Sequence, residues 1–231
     1  MKLCVALDLA SRKENLDLLE TLKDNEIWVK VGLRSFIRDG KEFLHSIKAI
    51  NPSFKIFLDL KLYDIPNTMG DSIDEIVKLG VDMVTLHASS GREGMCEVME
   101  HLKAIENPPL VMAVTALTSF DEKSFFEVYH NDISSQVLEF AKMAFSVGVN
   151  GIVCSCLESL QIKKAFGQDF LTLTPAIRPF GEGSGDQKRV ANLQDAKEAM
   201  SDFIVVGRPI YKAENPRAIV RKILESMELP C

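Results

Sequence analysis

No CxxC pair or HExxH-type spacing occurs in this sequence, and its five cysteines, Cys4, Cys96, Cys154, Cys156 and Cys231, are odd in number. A zinc site and a paired disulfide framework are both disfavoured, so reduced thiols in a cytosol are expected. No window approaches the ~18 consecutive apolar residues of a membrane span. The run that opens MKLCVALDLA is too short for a secretory core. A soluble, cytoplasmic protein without a membrane partner is expected. A basic excess is missing too: the net charge is −6, and lysines and arginines are scattered among acids. That leaves no stripe to track a phosphodiester backbone, which argues against nucleic acid as a partner. No Pro/Ser-rich linker, low-complexity tract or charge block divides the chain. One domain over residues 1–231 follows.

What fills the 231 residues, 46% of them hydrophobic, is an alternation of short β-rich runs and longer amphipathic stretches. Eight strands are predicted: LCVALD (3–8), IWVKVG (27–32), FKIFLDL (54–60), DMVTLH (82–87), LVMAVTAL (110–117), GIVCS (151–155), FLTLTP (170–175) and FIVVG (203–207). Helical spacing predicts helices near 12–24, 40–50, 67–79, 91–105, 134–147, 156–166, 192–200 and 215–227. Ser11 and Glu14 make a capping box for the first, and Gly80 and Gly148 fall where helices should stop. Eight consecutive βα units with right-handed crossovers close into a (β/α)8 barrel of the TIM type, with its active site at the C-terminal strand ends. An open doubly wound sheet would want a glycine-rich turn after the first strand, and VALDLASRKEN has none.

Charges gather at those strand ends. Alternation puts Lys55, Phe57, Asp59 and Lys61 on one face of the third strand and Ile56, Leu58 and Leu60 on the other. Pro66 suits the first turn of a helix, so Asp64 sits in the connecting loop near the same mouth. Asp8 ends the first strand, and Lys30 lies inside apolar IWVKVG. Singly, each has an ordinary explanation: Asp8 caps a loop, Lys30 snorkels, Asp59 and Lys61 form a rim ion pair. Together they read as a mutually paired network, because an unpaired buried ion costs several kcal/mol. A Schiff-base lysine must be neutral to attack, whereas Lys61 beside aspartates should stay protonated. That suits donating a proton or steadying a carbanion, and it disfavours aldolase chemistry.

A second constellation comes late. TPAIRPFGEGSGDQKR carries Arg178 and Gln187 among glycines, and VVGRPI brings Gly207 and Arg208 to the end of the eighth strand. Loops after strands seven and eight are the usual barrel phosphate site, so a phosphorylated small substrate is expected. Thr118, ending VTALTS, can meet a ligand edge or cap a turn. His87 reads as structural, and Cys154 and Cys156 lack an activating base.

The series VALD, VKVG, DLKLYDIPNT, VTALTS, TPAIRP and GRPI, in that order over essentially the whole chain, resembles orotidine 5′-phosphate decarboxylases of the bacterial type. The resemblance implies a (β/α)8 homodimer that converts orotidine 5′-phosphate to UMP without metal or organic cofactor, its sites shared across the dimer. It implies Lys61 as proton donor to C6 and Asp59 facing the substrate carboxylate. Asp64 and Thr68 would reach into the partner's site. Asp8 and Lys30 would bind ribose hydroxyls, Thr118 the pyrimidine edge, and Arg178, Gln187, Gly207 and Arg208 the phosphate side. One departure is Ala176, where similar sequences often carry glycine. Alanine disfavours positive φ, so a slightly different path into the phosphate loop is expected. Two alternatives stay open: a magnesium-dependent sugar-phosphate decarboxylase or aldolase sharing the DxKxxD core, and a non-catalytic nucleotide-binding barrel.

Overall fold

Both faces of the predicted strands are apolar, and a computed structural model, describing residues 1–183 and 188–228, gives each face its own core. Along the first strand Leu3 and Val5 pack outward against helices, while Cys4 and Ala6 point into the barrel. The same alternation sends Ile56 and Leu58 outward and Phe57 inward. Met83, Met112, Leu173 and Phe203 fill the interior alongside it. Side chains fill such a barrel as a packed core, leaving no pore. At the N-terminal floor Trp28 and Phe203 meet edge to face at 5.1 Å, and Lys2 Nζ lies 5.8 Å and 5.5 Å from their ring centres.

The strands are β1 (Lys2–Ala6), β2 (Trp28–Gly32), β3 (Lys55–Leu62), β4 (Met83–His87), β5 (Leu110–Val114), β6 (Gly151–Val153), β7 (Leu171–Thr174) and β8 (Phe203–Val206). All pair in parallel and in chain order, with β8 closing on β1. The predicted (β/α)8 architecture is therefore the observed one. Around it run α1 (Arg12–Leu22), α2 (Leu33–Ile50), α3 (Pro66–Lys78), α4 (Gly91–Leu102), α5 (Glu122–Tyr129), α6 (Ile133–Ser146), α7 (Cys156–Phe166), α8 (Leu193–Glu198), α9 (Arg208–Tyr211) and α10 (Pro216–Glu228).

The Ser11/Glu14 capping box opens α1 as its spacing predicts. Gly80 and Gly148 adopt φ of 65° and 81° just past their helices. The single turn α9 was not expected, and two longer helical segments also differ from expectation. α2 starts at Leu33 instead of near residue 40, and Gly40 breaks it with φ 59° and ψ −157°. Its first turns expose Leu33 and Ile37, so the apolar stripe that marks a core-facing helix is missing there. α5 has one buried residue, Phe125, too few to set a period, and an Asp121/Ser124 capping box starts it. Among the described residues no helix is long and apolar enough to cross a membrane.

Candidate active site

The C-terminal mouth carries an alternating string of charges drawn from three adjacent strands. Lys30 on β2 is the centre: its Nζ lies 3.3 Å from Asp8 Oδ1 and 3.7 Å from Asp59 Oδ2. Lys61 Nζ then meets Asp59 Oδ1 at 2.7 Å. Room for the Lys30 head comes from Gly32, where a Cβ would stand 2.9 Å from Nζ. Burial pushes the Lys30 ammonium down, but attraction to Asp59 and Asp8 outweighs it and leaves its pKa above the ordinary value. For Asp59, burial pushes up, and Lys30 and Lys61 overcome that to hold the carboxyl below the ordinary range. The two shifts favour the doubly charged state, as a paired network should.

Lys61 sits where β3 stops being regular. Leu58 pairs with Val84 and Leu62 with Leu86, so four steps along β3 cover two along β4. The excess is taken up as a bulge, and Lys61 adopts φ 54°, a left-handed conformation costing a non-glycine residue roughly 1–2 kcal/mol. Strain of this kind persists where surrounding bonds fix it. Here the fixing group is Thr85 of β4: the Lys61 backbone N–H donates to Thr85 Oγ1 at 2.9 Å, and Thr85 Oγ1 lies 3.0 Å from Asp59 Oδ1 as donor.

Lys30, Asp59 and Lys61 line a cavity of about 230 Å³ together with Phe57, Thr118 and Pro175. Thr118 is buried in the loop after β5, and its carbonyl accepts from the Lys188 backbone N–H at 3.1 Å. Lys188 Nζ also reaches Asp121 at 2.7 Å. The next residue, Arg189, pairs with Glu158 and donates to Ser155 Oγ at the start of α7. The far stem of the loop after β7 is thus tied to the segments that follow β5 and β6.

Arg178 is buried on the other stem, its Nε donating to the Gly183 carbonyl at 2.9 Å. Arg178, Gly183, Arg208 and Lys212 line a second hollow of about 540 Å³. Gly207 precedes α9, and the Ile210 and Tyr211 backbone N–H groups donate to its carbonyl. Gln187 lies outside the described residues. Ala176, expected to avoid positive φ, takes φ 63° despite its Cβ.

The structure gathers Asp8, Lys30, Asp59, Lys61 and Thr118 around the mouth, and Arg178 and Arg208 around the second hollow. Asp64 and Thr68 stand apart. Both are exposed, and Asp64 Oδ1 accepts from the Ile65 N–H at 2.8 Å, whereas Lys61 pairs with Asp59. His87 is half-buried and stacked on Tyr63, and its pKa is lowered by burial and then by nearby Lys61. Its Nδ1 accepts from the Ser89 N–H, which fits the structural reading. Thr85 and Gly32 were not picked out from sequence. A polar residue on the inward face of DMVTLH was the available signal for Thr85.

A profile of the orotidine 5′-phosphate decarboxylase / HUMPS family matches residues 1–223. A relative from a Nitratiruptor species, described as orotidine 5′-phosphate decarboxylase, is 59% identical over 98% of this chain and 100% of its own. A Wolinella succinogenes relative of the same description is 60% identical over the same shares. The crystal structure of orotidine 5′-phosphate decarboxylase from Lactobacillus acidophilus superposes with a TM-score of 0.86 at 34% identity, covering 99% of each chain. The extent of these matches is decisive: this chain belongs to the orotidine 5′-phosphate decarboxylase / HUMPS family.

Proposed function

We propose that this chain decarboxylates orotidine 5′-phosphate to UMP, the final step of pyrimidine nucleotide synthesis, with Lys61 as the proton donor. The carrying observation is the Asp8–Lys30–Asp59–Lys61 string, which puts a lysine ammonium, itself held by a carboxylate, on the wall of the mouth cavity. Breaking the bond between C6 and the carboxylate releases carbon dioxide and leaves its electron pair on C6. A fixed ammonium stabilises that charge as it develops, then gives C6 a proton and recovers one from water. The chemistry asks for no electron sink, so neither metal nor organic cofactor enters the reading. Asp59, facing the substrate carboxylate, adds repulsion that is relieved when carbon dioxide leaves.

In this reading Asp8 and Lys30 hold the ribose hydroxyls and Thr118 meets the pyrimidine edge. Arg178, Gln187, Gly207 and Arg208 take the phosphate, whose remote binding energy is expressed at the reacting carbon. The eight units work as one domain over residues 1–231, and a homodimer completes each site with Asp64 and Thr68 of the other copy. Exposed Tyr63 and Ile65 on either side of Asp64 offer apolar surface to such an interface. The enzyme acts in the cytoplasm, on a small molecule, apart from nucleic acid and membranes.

The test is to follow orotidine 5′-phosphate absorbance after adding purified protein in excess EDTA. A fall, with UMP and carbon dioxide as products, supports the reading. Tight UMP binding without carbon dioxide release would make the chain a binder, and activity restored only by magnesium would favour the metal-dependent sugar-phosphate branch.

A further inference from the structure

We propose that Thr85 is a positioning residue for the catalytic ammonium: its hydroxyl locks the β3 bulge and the Asp59 carboxylate together, and so fixes where Lys61 points. The inference rests on the reading of Lys61 as proton donor. Three observations carry it. Thr85 has 0% of its surface exposed, so its hydroxyl makes these bonds without competition from bulk water. Its Oγ1 accepts from the Lys61 backbone N–H at 2.9 Å and donates to Asp59 Oδ1 at 3.0 Å, the oxygen that also holds Lys61 Nζ. Lys61 itself occupies a left-handed conformation that a lysine does not adopt unless held.

Among small side chains, a hydroxyl alone meets this requirement. The group must donate to an anion and accept from an amide in the same small space. Valine has the shape but neither function. Aspartate could accept from the amide, yet it would repel Asp59, while an ammonium could not accept at all. Four groups form a short circuit: backbone N–H of Lys61, hydroxyl of Thr85, carboxylate of Asp59, and back through the Lys61 ammonium. Without the hydroxyl the bulge loses the bond that opposes its strain, and Asp59 loses one of the donors that orient it. The expected defect therefore falls on the reacting geometry and spares nucleotide binding.

The test compares Thr85→Val, Thr85→Ser and Lys61→Ala in the intact enzyme, by steady-state turnover of orotidine 5′-phosphate and by UMP affinity. Thr85→Val should lower kcat roughly 10- to 100-fold, the scale of a misplaced catalytic group. KM and UMP affinity should stay within about threefold, and Thr85→Ser should recover most of kcat. A Thr85→Val enzyme with near-normal kcat, beside an inactive Lys61→Ala, overturns the role of Thr85 and leaves the proton donor standing. So does a loss that serine fails to restore, or one in which UMP affinity collapses together with kcat. Near-normal turnover by Lys61→Ala would instead remove the proton-donor reading on which this one rests.

Discussion

Lys61 Nζ lies 2.7 Å from Asp59 Oδ1, two residues away on the same strand, at the point where that strand bulges against β4. An ammonium and a carboxylate held this way are in place before substrate arrives. Lys61→Ala should abolish turnover while the protein stays soluble and folded. Circular dichroism and a turnover assay check it, and near-normal activity in the variant would refute the proton-donor role.

Asp64, exposed in its own chain, makes a sharper test of the proposed sharing of sites between two copies. Lys61→Ala and Asp64→Ala enzymes should each be nearly inactive. Mixed and allowed to exchange subunits, they should recover about a quarter of wild-type activity, because half the dimers are mixed and each holds one intact site. No recovery would place both residues in the same site of one chain.

Arg208→Ala should raise KM far more than it lowers binding of a phosphate-free substrate. Comparing orotidine 5′-phosphate with orotidine in wild type and variant isolates that interaction. An equal loss on both substrates would move Arg208 away from the phosphate.

Ala176 carries backbone strain at φ 63° that glycine would not. Ala176→Gly should therefore stabilise the fold, but by no more than about 1 kcal/mol, since glycine also loosens the unfolded chain. Thermal unfolding should shift up by at most about 2–4 °C, with kinetics unchanged. A fall in Tm would show that the position is relaxed with alanine.

His101 on α4 reaches across to Asp74 on α3, 3.0 Å from Nδ1, and pairs within α4 with Glu97, 3.4 Å from Nε2. The Asp74 hydrogen bond leads in raising its pKa above the ordinary histidine value. A raised folded pKa makes the contribution complete below about pH 6.5 and lost as pH climbs through the folded value. Wild type should lose more Tm than His101→Gln between pH 6 and 9, and added salt should shrink the difference because the site is at the surface.

Eight short apolar runs alternating with amphipathic stretches were enough to lead to a closed barrel, in which Leu3 and Val5 join the outer core and Cys4 and Ala6 the inner one. The Asp8, Lys30, Asp59 and Lys61 cluster was equally legible, because charges at the ends of apolar strands have to find one another. The bulge at Lys61 was not, since strict two-residue spacing has no place for an added residue. Thr85 stayed hidden for the same reason: its partners are set by that bulge and not by its own strand. α5 and the first turns of α2 escaped because they bury too little to leave a helical period.

The stopper of Trp28, Phe203 and Lys2 beneath the barrel shapes traffic as well as stability. With one end plugged, nucleotide and gas have to use the same doorway. Carbon dioxide, small and uncharged, can slip past the bulkier nucleotide, so departure should be ordered, gas first and UMP second.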